Sequence, residues 1–343
     1  MCMRVNKFHY AILLNFFSFT FVSKPLKLLI VRFSSIGDIV LTSPVLRILK
    51  NQKQAIIHYL TKDEYSSLLV NNPYVDKLHL INQSVNELRE QLIDEKYDYV
   101  IDLHNNLRSQ TLRFLNVSIK RYSKSNFLKL IYMYLGINYL NNEHVVDRYL
   151  KAISFLGVKN DNQGLDFFIT NQDEVSFDVK QKYISWCIGA SKEQKKLSTS
   201  QIIFIAKKID LPIVLLGGKE EVDKAEDIIR NCKRKKIYNY CGNISINQSA
   251  FLIQNSQYLL SNDTGLMHIG AALNKKVISF WGCTKPDLGF YPYIDQLNSL
   301  MLVSQISKRQ CSKHGASCRY TEDGCVKEIN PEDMYKRIEK FTC

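Results

Sequence analysis

The sequence predicts an α/β protein made of two doubly wound domains, each with a parallel sheet. Short apolar runs, typical of strands buried on both faces, alternate with amphipathic helical segments along most of the chain. A polar stretch at residues 171–180 interrupts this alternation once, and 343 residues are enough for two domains of ordinary size. Strands that alternate with helices form right-handed parallel sheets.

The first half opens with an apolar strand at residues 26–31, followed by a polar turn and an apolar helix that extends to Leu49. Within that helix, Ser43-Pro44 has the pattern of a cap followed by proline in the first turn, which predicts a helix start or a kink. An amphipathic helix at 145–156 closes this half. Between them the pattern predicts a helix at 85–94 and strands at 55–60, 75–81, 97–103 and 117–122.

The second half repeats the alternation and ends in a helix at 331–341, whose start is marked by Asn330-Pro331. The domain boundary is expected near 165–182, which gives an N-terminal domain at 26–170 and a C-terminal domain at 171–343. In one interpretation the last helix packs back on the N-terminal domain. The other elements predicted here are strands at 183–188, 212–216, 236–240, 258–260 and 276–281 and helices at 199–208, 220–231 and 248–254.

Residues 1–25 form an apolar extension that stands apart from this pattern. The apolar run is too short and too often interrupted by polar residues to predict a membrane span, and no small-residue cleavage site follows it. Three interpretations stay open: an over-long start-site assignment, a weak membrane-surface anchor, or a signal sequence.

Polar loops follow several of the predicted strands. In doubly wound sheets, ligands bind beyond the carboxyl ends of the strands, so these loops are expected to face one cleft between the domains. The loops lie at residues 34–38, 102–106, 189–196, 217–221 and 261–268.

The second domain has the features of an anion site. Asp263-Thr264-Gly265 joins a strand to a helix, and the free N–H groups and dipole of a helix N-terminus attract anions. Asp263 or Thr264 could cap this helix, and His268 lies about one turn further on. The competing interpretation is a capped core helix with a hydrogen-bonded histidine.

Two further loops could complete a nucleotide site. Gly189-Ala190-Ser191 offers backbone N–H groups and a hydroxyl, and Lys195 and Lys196 could neutralise a pyrophosphate. Glu220 and Glu221 are placed to accept hydrogen bonds from a ribose, or they complement the dipole of the following helix.

In the first domain, Asp38 lies in the turn after the first strand and is a candidate general base. Its alternative role is to cap the next helix. No G-x-G-x-x-G follows the first strand, and neither a P-loop nor a G-x-S-x-G elbow is present. The sequence therefore argues against a dinucleotide oxidoreductase, a P-loop enzyme and an α/β-hydrolase.

The formal net charge of +13 suggests an anionic partner. The basic residues are scattered, and the cluster Lys233-Arg234-Lys235-Lys236 is most simply a solvated face. No nucleic-acid docking motif accompanies the charge, so nucleic acid is not expected as a partner.

Nine cysteines are spread along the chain without the pattern of a disulfide framework. Cys187, Cys241 and Cys283 lie in or beside apolar runs and are interpreted as small buried hydrophobic residues. Cys311, Cys318 and Cys325 cluster near the C-terminus with His314 among them. Structural zinc sites usually show closer pairs such as C-x₂-C, so a packed thiol cluster is favoured, although a metal site stays open.

Taken together, these motifs resemble glycosyltransferase family 9, the ADP-heptose:lipopolysaccharide heptosyltransferases. The run from Lys27 to Pro44 resembles the opening of that family, and the run from Asn262 to His268 resembles its second signature. Gly189-Ala190-Ser191 with Lys195 looks like its donor-phosphate loop. The segment 241–245 looks like the one beside the nucleotide base, and 144–150 is also similar.

The resemblance implies a GT-B fold, in which two Rossmann-like domains face a central cleft, and an inverting, metal-independent transfer without a cofactor. The donor, ADP-heptose, would sit on the C-terminal domain, and a saccharide on lipid A would meet the N-terminal domain. Asp38 would be the general base. The donor phosphates would bind Gly189, Ala190, Ser191, Lys195, Thr264, Gly265 and His268. Asp263 would bind sugar hydroxyls or cap the helix, and Glu221 and Ile244 would contact ribose and base. The acceptor side would contain Ser35, Gly37, His104 and Arg108.

Two departures from the family pattern leave the transferred sugar open. Leu197-Ser198 stands where the family often has Trp-Pro, and Lys285 stands where an acidic or small residue is common. A transferase for another nucleotide sugar and a non-catalytic nucleotide- or glycan-binding protein are the alternatives. A lipid-borne acceptor implies a cytoplasmic protein in peripheral contact with the inner face of the cytoplasmic membrane, with no added metal.

Overall fold

The computed structural model describes residues 24–140, 142–233, 236–306, 308–312 and 314–343. Nearly all of the apolar extension at 1–25, together with Arg234 and Lys235 of the basic cluster, lies outside the described residues. The interpretations given above for these two segments therefore stay predictions.

The first predicted strand becomes the centre of a five-stranded parallel sheet with the order β3-β2-β1-β4-β5. Its side chains alternate between two cores: Leu28 and Ile30 pack on one face, and Leu29 and Val31 pack on the other. Burial on both faces explains why this strand is a continuous apolar run. The strands are β1 (Lys27–Val31), β2 (Ile56–Lys62), β3 (Lys77–Ile81), β4 (Tyr99–Asp102) and β5 (Ser118–Arg121).

The second half forms a six-stranded parallel sheet with the order β11-β10-β9-β6-β7-β8. Leu260 and Leu259 of its central strand β9 point into the two cores that flank this sheet. Both doubly wound domains are therefore confirmed. The strands are β6 (Ile184–Cys187), β7 (Ile213–Leu216), β8 (Ile237–Asn239), β9 (Tyr258–Asn262), β10 (Lys276–Trp281) and β11 (Ser299–Val303).

Helices cover both faces of the two sheets. The α-helices are α1 (Ile36–Val40), α2 (Ser43–Lys53), α3 (Arg89–Asp94), α4 (Leu107–Gln110), α5 (Asn126–Leu135), α6 (Val145–Ile153), α7 (Thr199–Lys208), α8 (Val222–Asn231), α9 (Ile246–Asn255), α10 (Gly265–Ala272) and α11 (Pro331–Thr342). Within the described ranges, none is long and apolar enough to cross a membrane. The sequence pattern predicted none of α4, α5 and β11.

The terminal helix α11 packs on its own domain, so the interpretation that it returns to the N-terminal domain was wrong. Met334 and Ile338 are buried in the core beside the second sheet. The helix lies against α7 and β11. Its amphipathic face is satisfied there, because these apolar side chains already have a local core to join.

Candidate active site

Asp38 lies in the first turn of α1, just beyond the carboxyl end of β1. Its Oδ1 is 2.7 Å from Nη2 of Arg32. Its Oδ2 accepts hydrogen bonds from the Ser35 hydroxyl at 2.8 Å and from the Ser35 N–H at 3.2 Å. The carboxylate is thus held in one orientation while about a fifth of the side chain stays exposed. The hydrogen bonds between Ser35 and Asp38 cap the start of α1 and also orient the carboxylate. The capping interpretation of Asp38 is therefore compatible with a role in chemistry.

The charge state of Asp38 follows from these contacts. Burial favours the neutral acid, but the Arg32 guanidinium and the two hydrogen bonds from Ser35 outweigh it, and the pKa of Asp38 is lowered. The carboxylate is therefore ionised at neutral pH. An ionised, oriented carboxylate can accept a proton from a hydroxyl that comes within hydrogen-bonding distance.

Arg32 is a site residue that sequence reasoning missed. Its Nη1 donates to the carbonyl of Leu103 at 2.7 Å, and its guanidinium lies 5.9 Å from the ring centre of Tyr149. Burial opposes its charge, but the Asp38 carboxylate together with Tyr149 and Tyr122 outweighs that effect, and the pKa of Arg32 is raised. The available signal was its position, since an arginine directly after a buried strand lies at the ligand-binding edge of the sheet.

The two signature segments meet where α1 contacts α10. A Cβ built at Gly265 would lie 2.6 Å from Cγ2 of Ile36, and one built at Gly37 would lie 2.6 Å from Cδ2 of His268. Only glycine leaves room at both positions. The short helix that carries Asp38 in the first domain therefore lies directly against the N-terminal part of α10 in the second domain.

His268 is the buried side chain between these two segments. Its Nδ1 has no hydrogen-bond partner among the described residues. Burial lowers the pKa of His268 to about 4, and the nearest opposing charges are those of Asp263 and Asp38. The imidazole is therefore neutral at pH 7, with one ring nitrogen left for a ligand or for solvent.

Asp263 forms an ion pair rather than a helix cap. Its Oδ2 lies 2.6 Å from the Lys195 ammonium and accepts a hydrogen bond from the Thr284 hydroxyl at 2.8 Å. Thr264 occupies the N-cap position of α10, and its side chain makes no capping hydrogen bond. The acidic member of this segment thus holds Lys195, so its charge is balanced within the site.

The loop after β6 is tied to the same place by Asn262. The Asn262 amide donates to the carbonyls of Ile188 at 3.0 Å and of Gly189 at 3.2 Å. Gly189 is buried, whereas Ala190 is partly exposed and Ser191 is exposed. The backbone of this loop therefore emerges beside the N-terminus of α10, as an anion-binding loop would.

The loop after β7 places Glu221 against the same surface. Its carboxylate is 2.7 Å from the Lys196 ammonium and accepts from the N–H of Gly218 at 2.8 Å. The two lysines that follow Gly189 thus have different acidic partners. Ile244 is half-buried and packs at the edge of a core of the second domain. Neither position contradicts a ribose or base contact, and that assignment stays a prediction.

On the first domain, His104 and Arg108 surround Phe33. The rings of His104 and Phe33 are 5.0 Å apart, and the guanidinium of exposed Arg108 lies 6.0 Å from the Phe33 ring centre. Burial lowers the pKa of His104 to about 3, and its Nδ1 lacks a partner among the described residues. The structure thus brings His104 and Arg108 together on one side of Arg32 and Asp38.

Arg148 of α6 lies in the segment 144–150, and its residue type and position alone predict no role for it. It is buried, and its Nη2 donates to the carbonyl of Leu288 at 2.7 Å. Its Nε and Nη1 have no partner in the described part of the chain, and neither has the hydroxyl of buried Tyr149. Buried donors without partners are uncommon, so this region is suited to a polar ligand.

Known proteins resemble the chain over both domains. Residues 85–319 match the model of glycosyltransferase family 9 (heptosyltransferase). The lipopolysaccharide heptosyltransferase 1 of Campylobacter coli is 24% identical over 349 residues, which cover 92% of this chain and 99% of the relative. A family 9 glycosyltransferase structure from Veillonella parvula superposes with a TM-score of 0.76 at 18% identity, covering 93% and 98% of the two chains. E. coli ADP-heptose lps heptosyltransferase II superposes with a TM-score of 0.70 at 19% identity, covering 92% and 98%.

Proposed function

Because the chain belongs to glycosyltransferase family 9 and is a glycosyltransferase of GT-B fold, we propose that it transfers a heptose from ADP-heptose to an inner-core saccharide of lipopolysaccharide. Its relatives include a lipopolysaccharide heptosyltransferase and an ADP-heptose lps heptosyltransferase, which supports the sugar and the acceptor class. The observation that carries the proposal is the ionised Asp38 carboxylate, which lies beside the N-terminus of α10 and the Lys195–Asp263 pair.

In the proposed reaction, Asp38 accepts the proton of an acceptor hydroxyl. The hydroxyl oxygen forms a bond to the anomeric carbon on the face opposite the leaving group, which inverts that centre. The bond from the anomeric carbon to the diphosphate oxygen breaks, and its electron pair leaves with ADP. The two events are concerted in this proposal, so a carboxylate of low pKa receives the proton as the hydroxyl becomes acidic.

Negative charge grows on the diphosphate as this bond breaks. The N–H groups at Thr264 and Gly265 begin a helix and would stabilise that charge, together with those of Gly189 and Ala190. An ammonium has three donors, and the bond from Lys195 to Asp263 uses one of them. These groups supply the electrostatic stabilisation, so the proposed transfer needs no divalent metal and no cofactor at the phosphates.

We assign the other predicted site residues to the donor side or to the acceptor side of the cleft. Glu221 and Ile244 would contact the ribose and base, and neutral His268 would hold the diphosphate through its ring nitrogen. Ser35, His104 and Arg108 would face the acceptor, whereas Gly37, which was predicted on that side, is buried against His268 of the second domain. The unpartnered donors of Arg148 add a buried polar group to that side.

The exposed face of α5 supports peripheral contact with the membrane that carries the acceptor, which would place the protein at the inner face of the cytoplasmic membrane. Phe127, Tyr134 and Leu135 are each more than 60% exposed. A cluster of large exposed apolar side chains on one helix is a mark of an interaction surface. On the buried side of the same helix, the hydroxyl of Tyr132 donates to Asp287 at 2.9 Å, which ties α5 to the second domain.

The decisive experiment is Asp38→Asn, assayed with nucleotide-heptose donors and defined core acceptors by mass spectrometry. We expect transfer to fall about 10²–10⁴-fold, the usual contribution of a general base. ADP affinity should stay within about twofold, because Asp38 lies on the acceptor side. The exposed Asp94→Asn in α3 is the matched control. Full transfer by Asp38→Asn would overturn the assignment of the base, and donor binding without any turnover by the wild type would favour a non-catalytic binding protein.

A further inference from the structure

Four cysteines from separate parts of the second domain converge on one point. Cys283 follows β10, and Cys311, Cys318 and Cys325 come from the loop before α11. The Sγ of Cys325 is 3.1 Å from that of Cys318, 3.6 Å from that of Cys311 and 3.9 Å from that of Cys283. All four sulfur atoms lie within 4.8 Å of one another. His314, which lies among these cysteines in sequence, is not a member of this group.

We propose that Cys283, Cys311, Cys318 and Cys325 form a structural tetrathiolate site for one zinc ion. Zn–S bonds of about 2.3 Å in a tetrahedron place the sulfur atoms about 3.8 Å apart. The sulfur separations given above bracket this value. On binding, the ion forms bonds to four thiolates, whose protons pass to solvent, and the complex carries a net charge of 2−.

The two simpler interpretations of this cluster fit less well. A disulfide requires sulfur atoms about 2.05 Å apart. The cysteines of the described residues are free thiols, and the Cys318 and Cys325 sulfur atoms, at 3.1 Å, are well beyond that distance. A packed apolar cluster would mix the sulfur atoms with aliphatic side chains. In this cluster only cysteines contact one another.

The surroundings also suit a negatively charged complex. The N–H of Tyr320 and the hydroxyl of Thr321 each point at the Sγ of Cys318, at 3.5 Å. The buried ammonium of Lys285 interacts electrostatically with three of the four thiols and donates to the carbonyl of Ser304 at 2.8 Å. Groups that donate to coordinating sulfur orient the ligands and balance their charge.

A second group of metal-binding residue types does not share these properties. His58 and His79 both contact the Tyr97 hydroxyl at 2.9 Å. The nearby Glu95 carboxylate is already paired with the ammonium groups of Lys27 and Lys77. Its ligand atoms therefore have protein partners, and it carries no metal proposal.

The tetrathiolate site would fix the donor side of the enzyme. Thr284, next to Cys283, donates to Asp263, which in turn holds Lys195. Between Cys311 and Cys318, a Cβ at Gly315 would lie 3.0 Å from Cε of Lys195. Beyond Cys325, the Lys327 ammonium is 3.2 Å from the carboxylate of Glu193 in the turn that carries Lys195. This positioning role, unlike the site itself, rests on the proposed function.

The site is tested on the full chain, expressed in zinc-supplemented medium and purified without chelator. Mass-spectrometric elemental analysis should find about one zinc per chain. Replacement by Co²⁺ should give the thiolate-to-metal absorption of a tetrahedral sulfur site. A wild-type protein with substoichiometric metal, or with these cysteines joined in disulfides, would refute the proposal. Because this measurement uses the wild type, misfolding of a variant does not weaken it.

The variants Cys311→Ser and Cys318→Ser should each lose most of the bound zinc. The matched control is Cys232→Ser, which changes a buried thiol outside the cluster. Retention of one zinc in both cluster variants would contradict the assigned ligands, as would an equal loss in the control.

The affinity for ADP distinguishes a failure of the zinc proposal from a failure of the proposed transferase function. Removal of zinc should weaken ADP binding about tenfold, because misplacement of an oriented group is costly. Unchanged ADP affinity in the zinc-free protein would overturn the positioning role. Stoichiometric zinc in a protein that binds no ADP would instead count against the proposed function and leave the metal site standing.

Discussion

Arg32 and Asp38 show how one residue sets the chemistry of another. The guanidinium fixes the direction of the carboxylate and lowers its pKa, so Asp38 is charged before any acceptor arrives. The same attraction makes Asp38 a weaker base, since a carboxylate of low pKa holds a proton less strongly. The arrangement therefore gives a carboxylate that is ionised at every physiological pH, at the expense of its strength as a base.

This balance predicts the outcome of Arg32→Met. Without the guanidinium, burial acts on Asp38 with less opposition, and the pKa of Asp38 should rise. The base works only when ionised, so the acid limb of the kcat/KM–pH profile should move to higher pH, in addition to any loss of rate. Profiles of Arg32→Met and Arg32→Lys, measured from pH 4 to 8, test this effect.

Arg32→Lys keeps a positive charge near Asp38 and should move the acid limb less than Arg32→Met does. A purely structural role for Arg32 would lower the rate at all pH values without moving the limb. That outcome would remove Arg32 from the positioning of the base.

At the scale of elements, patterns that are local in sequence were predictable, and contacts between distant elements were not. The alternation of apolar runs predicted ten of the eleven strands in the described residues, and most of these ten are buried on both faces, which leaves a strong signal. The edge strand β11 was not predicted, although it is at least as buried as β5 and β8, which were. The helix α5 was not predicted, although its apolar side chains recur with a helical period.

The exposed face of α5 leads to a prediction about membranes. Phe127→Ser with Leu135→Ser removes two large apolar side chains that are more than 60% exposed. Burial of each such side chain in an apolar layer is worth about 1.5–3 kcal/mol. Binding to vesicles that contain lipid A, measured by cosedimentation, should therefore weaken at least about tenfold.

Leu297→Ser is the matched control for this pair, because Leu297 is 83% exposed in the second domain. It should leave vesicle binding unchanged. Equal binding by the α5 double variant and the wild type would show that this face does not contact the membrane.

At the scale of the whole molecule, the sequence predicted which segments form the site better than it predicted the pairings within it. Strand ends converge at the edge of a sheet, so Asp38, Gly189 and Asp263 could be assigned to one region from topology alone. The partner of Asp263 and the convergence of Cys283 with three distant cysteines depend on tertiary packing. The spacing of residues along the sequence does not indicate such pairings. For this reason Cys283 was interpreted as a buried hydrophobic residue.

Buried histidines give the whole fold a common dependence on pH. His79, His144 and His268 are each at least 95% buried, and burial lowers their pKa values to about 4, about 3 and about 4. In the unfolded chain each would titrate near 6.5. Between pH 6.5 and 4 the unfolded chain therefore binds more protons than the folded one, and stability falls as the pH is lowered.

The free energy of unfolding should thus decline from pH 7 to pH 5, before most carboxylates begin to titrate, by up to about 1.4 kcal/mol per pH unit for each buried imidazole. Urea unfolding at pH 7, 6 and 5, followed by circular dichroism, measures this slope. His79→Gln can keep a hydrogen bond to the Tyr97 hydroxyl and removes one titrating group, so its slope should be smaller than that of the wild type. A wild-type stability that does not change between pH 7 and 5 would show that the folded chain takes up protons as readily as the unfolded chain, and that burial of these imidazoles does not govern the acid response of the fold.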